Sequence, residues 1–434
     1  MTSSSSRDHR MERPLKSKLF SKNFILLWLG QTVSQLGAGV GYIATLWWVQ
    51  TTTGSALALG TLATVTGIVA VVMSPIAGVF VDRWNKKYLI VGTDLIRGSI
   101  NCLLAWLVYT NTLTLPILFL CAGIKAACAQ FFIPSISTAI PQIVPDEHLE
   151  KANSLREISL NISNMIGYAL GGLLVAVAGI PALLLINGIA FLLSAFSETF
   201  IVLAKAREQG KLTVKAFSAD LASGLSYVRR DKVLSGILQV ILVINFALVP
   251  FFVLMPKFVA EHLRAGSEVL GLISSAQMAG MILGALIISL TPLVKKHHWI
   301  IRWGMSISAG ALMISPWLPG DYWQLQLLVF GVSGAVNSIV NLFFFTSLQR
   351  KVDPAYMGKV FSLINAMGLG LQPAASALSG ILAERIPLVY IYTAFGALAM
   401  LANVRLVAIP GLNAYFGFLS SKEMQEETDS TTSS

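Results

Sequence analysis

Charged residues are scarce in this chain. Only 12% of its 434 residues are Asp, Glu, Lys or Arg, whereas soluble proteins carry about a quarter. The hydrophobic share is 55% and the mean hydropathy is +0.71. This composition excludes an ordinary soluble domain and indicates an integral membrane protein.

Cysteine and histidine are also few, and they are poorly placed for chemistry. Cys102, Cys121 and Cys128 lie inside apolar runs, without a Cys-x-x-Cys pair or a nearby histidine. This pattern argues against a disulfide framework or a metal centre, and we expect small packing residues instead. No Ser/His/Asp set, metal cluster or phosphate-binding loop stands out in the sequence. We therefore expect neither an enzyme nor a bound cofactor or metal.

The net charge of +10 could indicate nucleic-acid binding, but its distribution argues against it. Most cations fall in loops on one face of the expected membrane domain: Arg83, Lys86, Lys87, Lys151, Arg156, Lys295, Lys296, Arg350, Lys351 and Lys359. The opposite loops hold Lys257, Arg264 and Arg385. Because positive loops stay in the cytoplasm, we expect a plasma (inner) membrane protein with both termini cytoplasmic. Nucleic acid is not an expected partner.

Twelve apolar segments follow one another along the chain. A hydrocarbon core of ~30 Å needs ~20 apolar residues in a helix, and each segment is near that length. They cover roughly 23–49, 56–80, 88–110, 115–140, 154–178, 181–204, 233–259, 268–291, 298–316, 322–346, 358–383 and 387–409. The sequence therefore predicts an all-α integral membrane fold of twelve transmembrane helices, arranged as two six-helix bundles at 23–204 and 233–409.

Polar segments flank and separate the two bundles. Residues 1–22 are Ser-rich and then basic, which is typical of a disordered cytoplasmic tail and not of a signal peptide. A second polar tail covers 410–434. Between the bundles, 205–232 holds Phe217, Leu221, Leu225 and Val228 at helical spacing, which predicts an amphipathic helix at the membrane surface. A plain solvated linker is the alternative.

A short charged loop joins the second and third apolar segments. It reads Gly78-Val-Phe-Val-Asp82-Arg83-Trp-Asn-Lys86-Lys87 and resembles the loop between the second and third helices of the major facilitator superfamily. The resemblance implies that its matching residues form a cytoplasmic gate between two halves of a transporter: Gly78, Asp82, Arg83, Lys86 and Lys87. Asp94 and Arg97, one turn apart near the start of the third segment, are expected to join Asp82 in a charge cluster of that gate. The alternative is a basic anchor with no moving role.

A second set of short motifs resembles one branch of that superfamily, the macrolide-efflux and enterobactin-exporter type. The motifs begin at Gly30, Asp94, Val144, Gly224 and Gly358. Lys86-Lys87 also recurs in register as Lys295-Lys296, as expected for parallel half-repeats. The resemblance implies alternating access, in which the two bundles rock about a central site.

Lys125 is the strongest candidate for contact with a substrate. It lies ten residues into the fourth segment, which places it ~15 Å deep at 1.5 Å per residue. The sequence shows no carboxylate at comparable depth, so we expect an unpaired lysine that meets an anionic or strongly accepting group. A lysine bonded to helix carbonyls is the alternative. Other cavity candidates are polar or aromatic residues within spans: Gln31, Gln35, Phe132, Asn337 and Asn341.

Three carboxylates near the cytoplasmic helix ends are candidates for proton coupling: Asp94, Glu157 and Glu198. Asp94 and Arg97 stand three residues apart, so an ordinary ion pair is the alternative for them. No obvious buried carboxylate is apparent from the sequence, which leaves the coupling ion open.

Two glycine-rich stretches need separate interpretations. Gly167-Tyr168-Ala-Leu-Gly171-Gly172 resembles an antiporter motif, with Tyr168 at the usual proline position. Gly37-Ala-Gly39-Val-Gly41 imitates a nucleotide fingerprint, but it has no preceding strand. Close helix packing explains the second stretch and is the alternative for the first.

These observations favour a monomeric secondary transporter that exports an amphipathic drug, siderophore or metabolite across the lipid bilayer. Its expected partners are that small molecule and a coupling ion, with a proton as the first candidate. An importer or a lipid translocase on the same scaffold remains an alternative. A non-transporting sensor is disfavoured because the cytoplasmic parts carry no recognisable signalling module.

Overall fold

A computed structural model describes residues 19–203, 214–290, 298–410 and 412. Over these residues the chain is helical and contains no strand. The helices form two halves, which confirms the predicted all-α membrane fold. The predicted tails at 1–22 and 410–434 lie mostly outside the described residues, as do the first part of the linker and Lys295-Lys296.

The N-terminal half contains five helical elements. They are α1 (Lys22–Thr53), α2 (Ala56–Arg83), α3 (Lys86–Tyr109), α4 (Leu115–Ile143) and α5 (Leu149–Glu198). Within α5, Gly179 adopts non-helical angles of φ 76° and ψ 163°. This break divides α5 into two arms, which correspond to the predicted segments 154–178 and 181–204.

The linker helix and the C-terminal half follow. They are α6 (Val214–Arg230), α7 (Lys232–Val253), α8 (Ser267–Leu290), α9 (His298–Ile314), α10 (Trp323–Lys351), α11 (Pro354–Ala383) and α12 (Leu388–Val407). Short helical turns at Met255–Lys257 and Phe258–His262 connect α7 to α8.

Ten described helices are long and apolar enough to cross a membrane. This count treats α5 as one helix although Gly179 breaks it, and it leaves out α9, of which 17 residues are described. Two arms of α5 and an added α9 are consistent with the twelve predicted spans.

Short polar side chains set several helix starts. Ser21, Ser55 and Asn85 accept hydrogen bonds from the N–H groups of Phe24, Ala58 and Lys87 at the starts of α1, α2 and α3. Such caps satisfy donors that the first turn leaves unpaired. After α1, Gly54 takes a left-handed conformation with φ 59°, which lets the chain turn directly into α2.

The two halves meet at the end of the molecule that holds the α1–α2 and α11–α12 connections, here named the closed end. Small residues allow this approach: a Cβ on Gly60 would lie 2.8 Å from Gly380 Cα, and one on Gly172 would lie 2.9 Å from Gly271 Cα. The Ser267 hydroxyl also donates to Gly172 O at 2.9 Å. Contacts of α2 with α11 and of α5 with α8 therefore join the halves.

The opposite end, named the basic end, holds the α2–α3 and α10–α11 connections, with Lys86 and Lys351 beside them. A Cβ on Gly78, Gly358 or Gly370 would meet no atom within 4 Å. Among the described glycines, the close backbone approaches of α2 to α11 and of α5 to α8 therefore lie toward the closed end.

The glycine stretch in α1 serves packing, which confirms that interpretation. A Cβ on Gly37 would lie 2.5 Å from Ala190 Cβ, and one on Gly39 would lie 3.0 Å from Gly167 Cα. Gly171 likewise faces the Val40 backbone. The α5 motif thus packs one arm against α1 on one side and against α8 on the other.

The linker helix packs against the C-terminal half. Val228 is buried in a cluster with Leu234, Leu348 and Val360. The Tyr227 ring stacks on the ring of Tyr356 in the C-terminal half, with 4.6 Å between the two centroids. This stretch is helical, and its described apolar face covers protein and is not free to lie on lipid. The side chains of Phe217 and Leu221 lie outside the described residues.

Candidate substrate cavity and buried carboxylates

A cavity of about 510 Å³ lies between the halves and contains Lys125. Most of its walls come from the N-terminal half, including Tyr42, Arg97 and Asn187. Gln372 of α11 contributes from the C-terminal half. Pockets that bind small molecules have volumes of roughly 300–1,000 Å³, so this one can hold a drug-sized ligand.

Lys125 has a partner that the sequence did not suggest. Its ammonium donates to Asn101 Oδ1 at 2.8 Å, and Asn101 Nδ2 donates in turn to Arg97 O at 2.9 Å. The expectation of an unpaired lysine is therefore wrong, because a buried amide of α3 holds it. An amide carries no net charge, and no described carboxylate lies within ion-pair distance of Lys125.

Arg97 links the cavity to a buried acidic group. Its guanidinium lies over the rings of Phe132 and Phe191, at 5.3 and 4.9 Å from their centroids. The same group contacts Asp94 Oδ1 at 3.4 Å. Two aromatic faces and one carboxylate thus position a cation that also lines the cavity.

Two carboxylates are buried inside the N-terminal half, which corrects the expectation that none would be. Asp94 is 0% exposed and Glu198 is 1% exposed. The Ser194 hydroxyl donates to Glu198 Oε1 at 3.4 Å and also lies beside Asp94. Among the described residues, Asp94 Oδ2 and Glu198 Oε2 have no hydrogen-bond partner. Ionisable groups in such positions are costly within a membrane and usually functional.

Glu157 lies apart from that pair. Its carboxylate is exposed and bonds Arg156 at 2.8 Å, whereas Arg156 Nε donates to Gln31 Oε1 at 3.2 Å. Gln31 is accordingly buried against Arg156 and does not line the cavity. Gln35 is half-buried and does not line it either.

The remaining cavity candidates divide between two places. Phe132 is buried under Arg97 and is not part of the cavity wall. Asn337 and Asn341 belong to the C-terminal half, where they line a different cavity. The structure therefore separates Lys125 from the two asparagines that the sequence grouped with it.

The gate motif is partly described. Gly78 lies near the end of α2, and Lys86 and Lys87 begin α3 at the basic end. Lys87 borders a narrow crevice together with Glu198. The side chains of Asp82 and Arg83 lie outside the described residues.

Polar contacts reinforce the closed end. Glu384 Oε1, from the loop after α11, accepts hydrogen bonds from Ser55 Oγ at 2.6 Å and Leu57 N at 2.9 Å. The bond from Leu57, which has the larger effect, and the bond from Ser55 lower the pKa of the Glu384 carboxyl below its ordinary value. Lys257 of the C-terminal half donates to Gly54 O at 2.8 Å, which is a further hydrogen bond between the halves.

The sequence reasoning missed Asn101, Phe191 and Glu384. Asn101 could have been found, because Asp94, Arg97 and Asn101 have the i, i+3, i+7 spacing of one helix face. Phe191 and Glu384 contact residues that are distant in the sequence, and the spacing of residues along one helix does not reveal such contacts.

Two bundles of spanning helices that meet at one end, with a partly charged cavity between them, define a membrane transporter. The chain belongs to the Major Facilitator Superfamily, whose family model matches residues 27–377. The family expected from the loop after α2 is therefore confirmed.

Its relatives include efflux proteins. Macrolide efflux protein A of Streptococcus pyogenes is 24% identical over 367 residues, which cover 84% of this chain and 90% of the relative. Multidrug efflux pump Tap of Mycolicibacterium fortuitum is 24% identical over 400 residues, which cover 89% and 96%.

Solved structures share the fold. A bacterial homologue of the iron transporter ferroportin, in an inward-facing state, superposes with a TM-score of 0.70 at 14% identity, covering 91% of this chain and 100% of that one. The nucleoside transporter NupG gives a TM-score of 0.64 at 16% identity, covering 89% and 99%. At these identities the likeness establishes the fold alone.

Proposed function

We propose that this protein is a secondary exporter of an amphipathic small molecule. The ligand presents an anionic or strongly hydrogen-bond-accepting group to Lys125, and Arg97 lines the same cavity. The observation that carries the proposal is the pair of cations in a ligand-sized cavity between the halves. The efflux proteins among the relatives support the direction of transport.

The basic end faces the cytoplasm in this proposal, because positive loops are retained on that side. The closed end then seals the cavity from the outside, and the basic end admits a ligand from the cytoplasm. Export follows when the halves rock, so that the α2–α11 and α5–α8 contacts open and the basic end closes. In this proposal the motif at Gly78 to Lys87 takes part in that closure.

Proton counter-movement is the energy source that we propose. Asp94 and Glu198 are its carriers because both are buried and each keeps an oxygen without a described partner. Glu198 ends α5 at the basic end and borders one narrow crevice with Lys87, so it is the carrier closer to the cytoplasm in this proposal. Glu157 is exposed and paired with Arg156, so we no longer favour it as a carrier.

The test is ligand accumulation in cells that lack their main pumps, with and without this protein. Dyes, macrolides and siderophores form the panel, and a protonophore forms a second arm. We expect the protein to lower the accumulation of at least one accepting or anionic compound. The protonophore should return that accumulation to the level of cells without the protein. Lys125→Ala should abolish the effect, whereas Lys151→Ala, an exposed lysine outside the cavity, should preserve it. Higher accumulation would indicate import and contradict the proposal.

A further inference from the structure

A second cavity, of about 320 Å³, lies inside the C-terminal half. Its walls come from α7 and α9 to α12, and none of its residues lines the cavity that contains Lys125. Its volume reaches the lower end of the range for small-molecule pockets, roughly 300 Å³ and above. We name it the amide chamber, after Asn245, Asn341 and Asn365, which line it.

The three asparagines come from three different helices, α7, α10 and α11, and all are accessible. An accessible amide within a span is costly against lipid, so a common polar cavity accounts for them. Asn245 Nδ2 donates to Ile241 O at 3.0 Å, and Asn341 Nδ2 donates to Asn337 O at 2.9 Å. Among the described residues, the side-chain oxygens of Asn245 and Asn341 and the whole Asn365 amide have no hydrogen-bond partner.

The rest of the chamber is apolar and uncharged. No Asp, Glu, Lys, Arg or His belongs to its described lining. The Phe345 ring lies in the wall and stacks on Phe361 with 5.6 Å between centroids, which supplies a flat aromatic surface. An ionised group would lose its hydration there without a counter-charge. The chamber therefore matches a neutral group with hydroxyls or carbonyls and an aromatic or ring face.

A third cavity, of about 390 Å³, shares lining residues with both of the others. Asn245 and Asn337 line both it and the amide chamber, whereas Gln372 and Phe252 line both it and the cavity of Lys125. The three cavities therefore lie side by side, from Lys125 into the C-terminal half.

We propose that the amide chamber binds the uncharged, hydrogen-bonding, aromatic body of the ligand whose accepting group meets Lys125. This inference rests on the proposed function, because it assigns the second part of the same ligand. The two cavities then divide recognition: one selects the accepting group, and the other selects a neutral body.

Two probes separate the cavities. 2-Naphthyl β-D-glucuronide and 2-naphthyl β-D-glucoside share a naphthyl ring and sugar hydroxyls, but the first has a carboxylate where the second has a hydroxymethyl group. Tritiated forms of both are bound to the purified full-length protein in nanodiscs, and dissociation constants are measured for each variant.

Asn365→Leu should weaken both probes about tenfold, because the amide bonds are lost. Lys125→Ala should weaken the glucuronide alone. Gly368→Phe provides a second variant: Gly368 lines both the chamber and the third cavity, and a Cβ there meets no atom within 4 Å, so the new ring takes up ligand space where the two cavities adjoin. It should also weaken both probes. Gln239→Leu removes an accessible α7 amide outside the chamber and should change neither.

Each failure has its own signature. Unchanged affinities in Asn365→Leu and Gly368→Phe would overturn the proposed role of the amide chamber. Weaker binding of the glucuronide in Lys125→Ala would still support the proposed site at Lys125. Weaker binding in both chamber variants, with unchanged binding in Lys125→Ala, would support the chamber and contradict the contact of the ligand with Lys125. Absence of saturable binding of both probes would overturn the ligand class. Native mass spectrometry could show a bound phospholipid that is lost in Gly368→Phe. That result would identify the chamber as an acyl-chain site and would also overturn the proposal.

Discussion

Lys125 Nζ and Asn101 Oδ1 lie 2.8 Å apart, on two adjacent helices of the N-terminal half. Asn101 is fully buried and its Nδ2 is bonded to Arg97 O, so its side chain has a fixed orientation. The amide therefore directs the lysine without neutralising it. A carboxylate in the same position would form an ion pair and remove the charge from the cavity.

That relationship makes Asn101 a positioning residue with a two-sided test. Asn101→Leu should weaken binding of 2-naphthyl β-D-glucuronide about tenfold, since one hydrogen bond no longer orients Lys125. Asn101→Asp should weaken it further, because the new carboxylate competes with the ligand. The neutral glucoside should bind alike to all three proteins. Equal effects of Leu and Asp on the glucuronide would indicate a purely structural role.

Proton exchange at Asp94 should depend on ligand charge. An anionic ligand that draws Arg97 away leaves Asp94 without its cation, which favours proton uptake, up to about one proton per ligand. A neutral ligand leaves the Arg97–Asp94 contact in place and should cause no uptake. A pH indicator in weakly buffered protein solution measures this difference between glucuronide and glucoside.

Asp94→Asn should abolish the uptake, and Glu157→Gln, at an exposed ion pair, should not. Uptake that accompanies binding of the exported ligand itself would contradict antiport, because antiport requires that ligand and proton exclude each other. On this geometry an anionic ligand conflicts with antiport through Asp94, whereas a neutral accepting group at Lys125 does not.

The closed end should loosen in acid. Hydrogen bonds from Leu57 N–H and Ser55 lower the Glu384 pKa from its ordinary value of 4.5, and Lys257 lowers it further. Because joined halves favour the carboxylate, this contribution to closure is complete above about pH 4.5 and is lost as the pH falls through the lowered pKa. Spin labels at Asn111→Cys and Asp321→Cys, with the native cysteines changed to serine, report the separation at that end.

We expect the label distance to lengthen as the pH falls from about 4.5 through the lowered pKa of Glu384 in the otherwise unchanged protein. Glu384→Gln should remove that response, since its amide does not titrate. An identical pH response in both proteins would exclude Glu384 as the titrating group.

A side chain at Gly172 should hold the closed end apart. Its Cβ would lie 2.5 Å from Ser267 O and 2.9 Å from Gly271 Cα, so the α5–α8 contact must separate. Gly172→Val should therefore lengthen the same label distance at neutral pH and slow transport. Gly92→Val is the matched control, because a Cβ at Gly92 meets no atom within 4 Å. A closed-end distance unchanged by Gly172→Val would show that this contact does not hold the halves.

The spans were predictable because lipid imposes one length and one polarity on every helix, whatever the helix packs against. The pairing of side chains across helices was not. Glu198 lies six residues before the predicted end of its segment, so its burial depended on how the second arm of α5 packs against α3. Lys125 was found by its depth, whereas its Asn101 partner required the crossing of α3 and α4.

The apolar stripe of α6 shows a similar limit. Helical spacing predicted one buried face, but a periodic pattern is the same whether the face meets lipid or protein. The Val228 cluster and the Tyr227–Tyr356 stack decide in favour of protein. The linker is thus attached to the half that follows it.

Gly179 gives the fifth and sixth spans an unusual connection. Since only this residue leaves helical geometry, no flexible loop separates the two arms of α5. One arm carries Gly172, which touches α8, and the other carries Ser194 and Glu198. A tilt of the first arm is therefore transmitted to the second arm. The contact of Gly172 with α8 at the closed end is thus mechanically coupled to the Glu198 carboxyl group near the basic end.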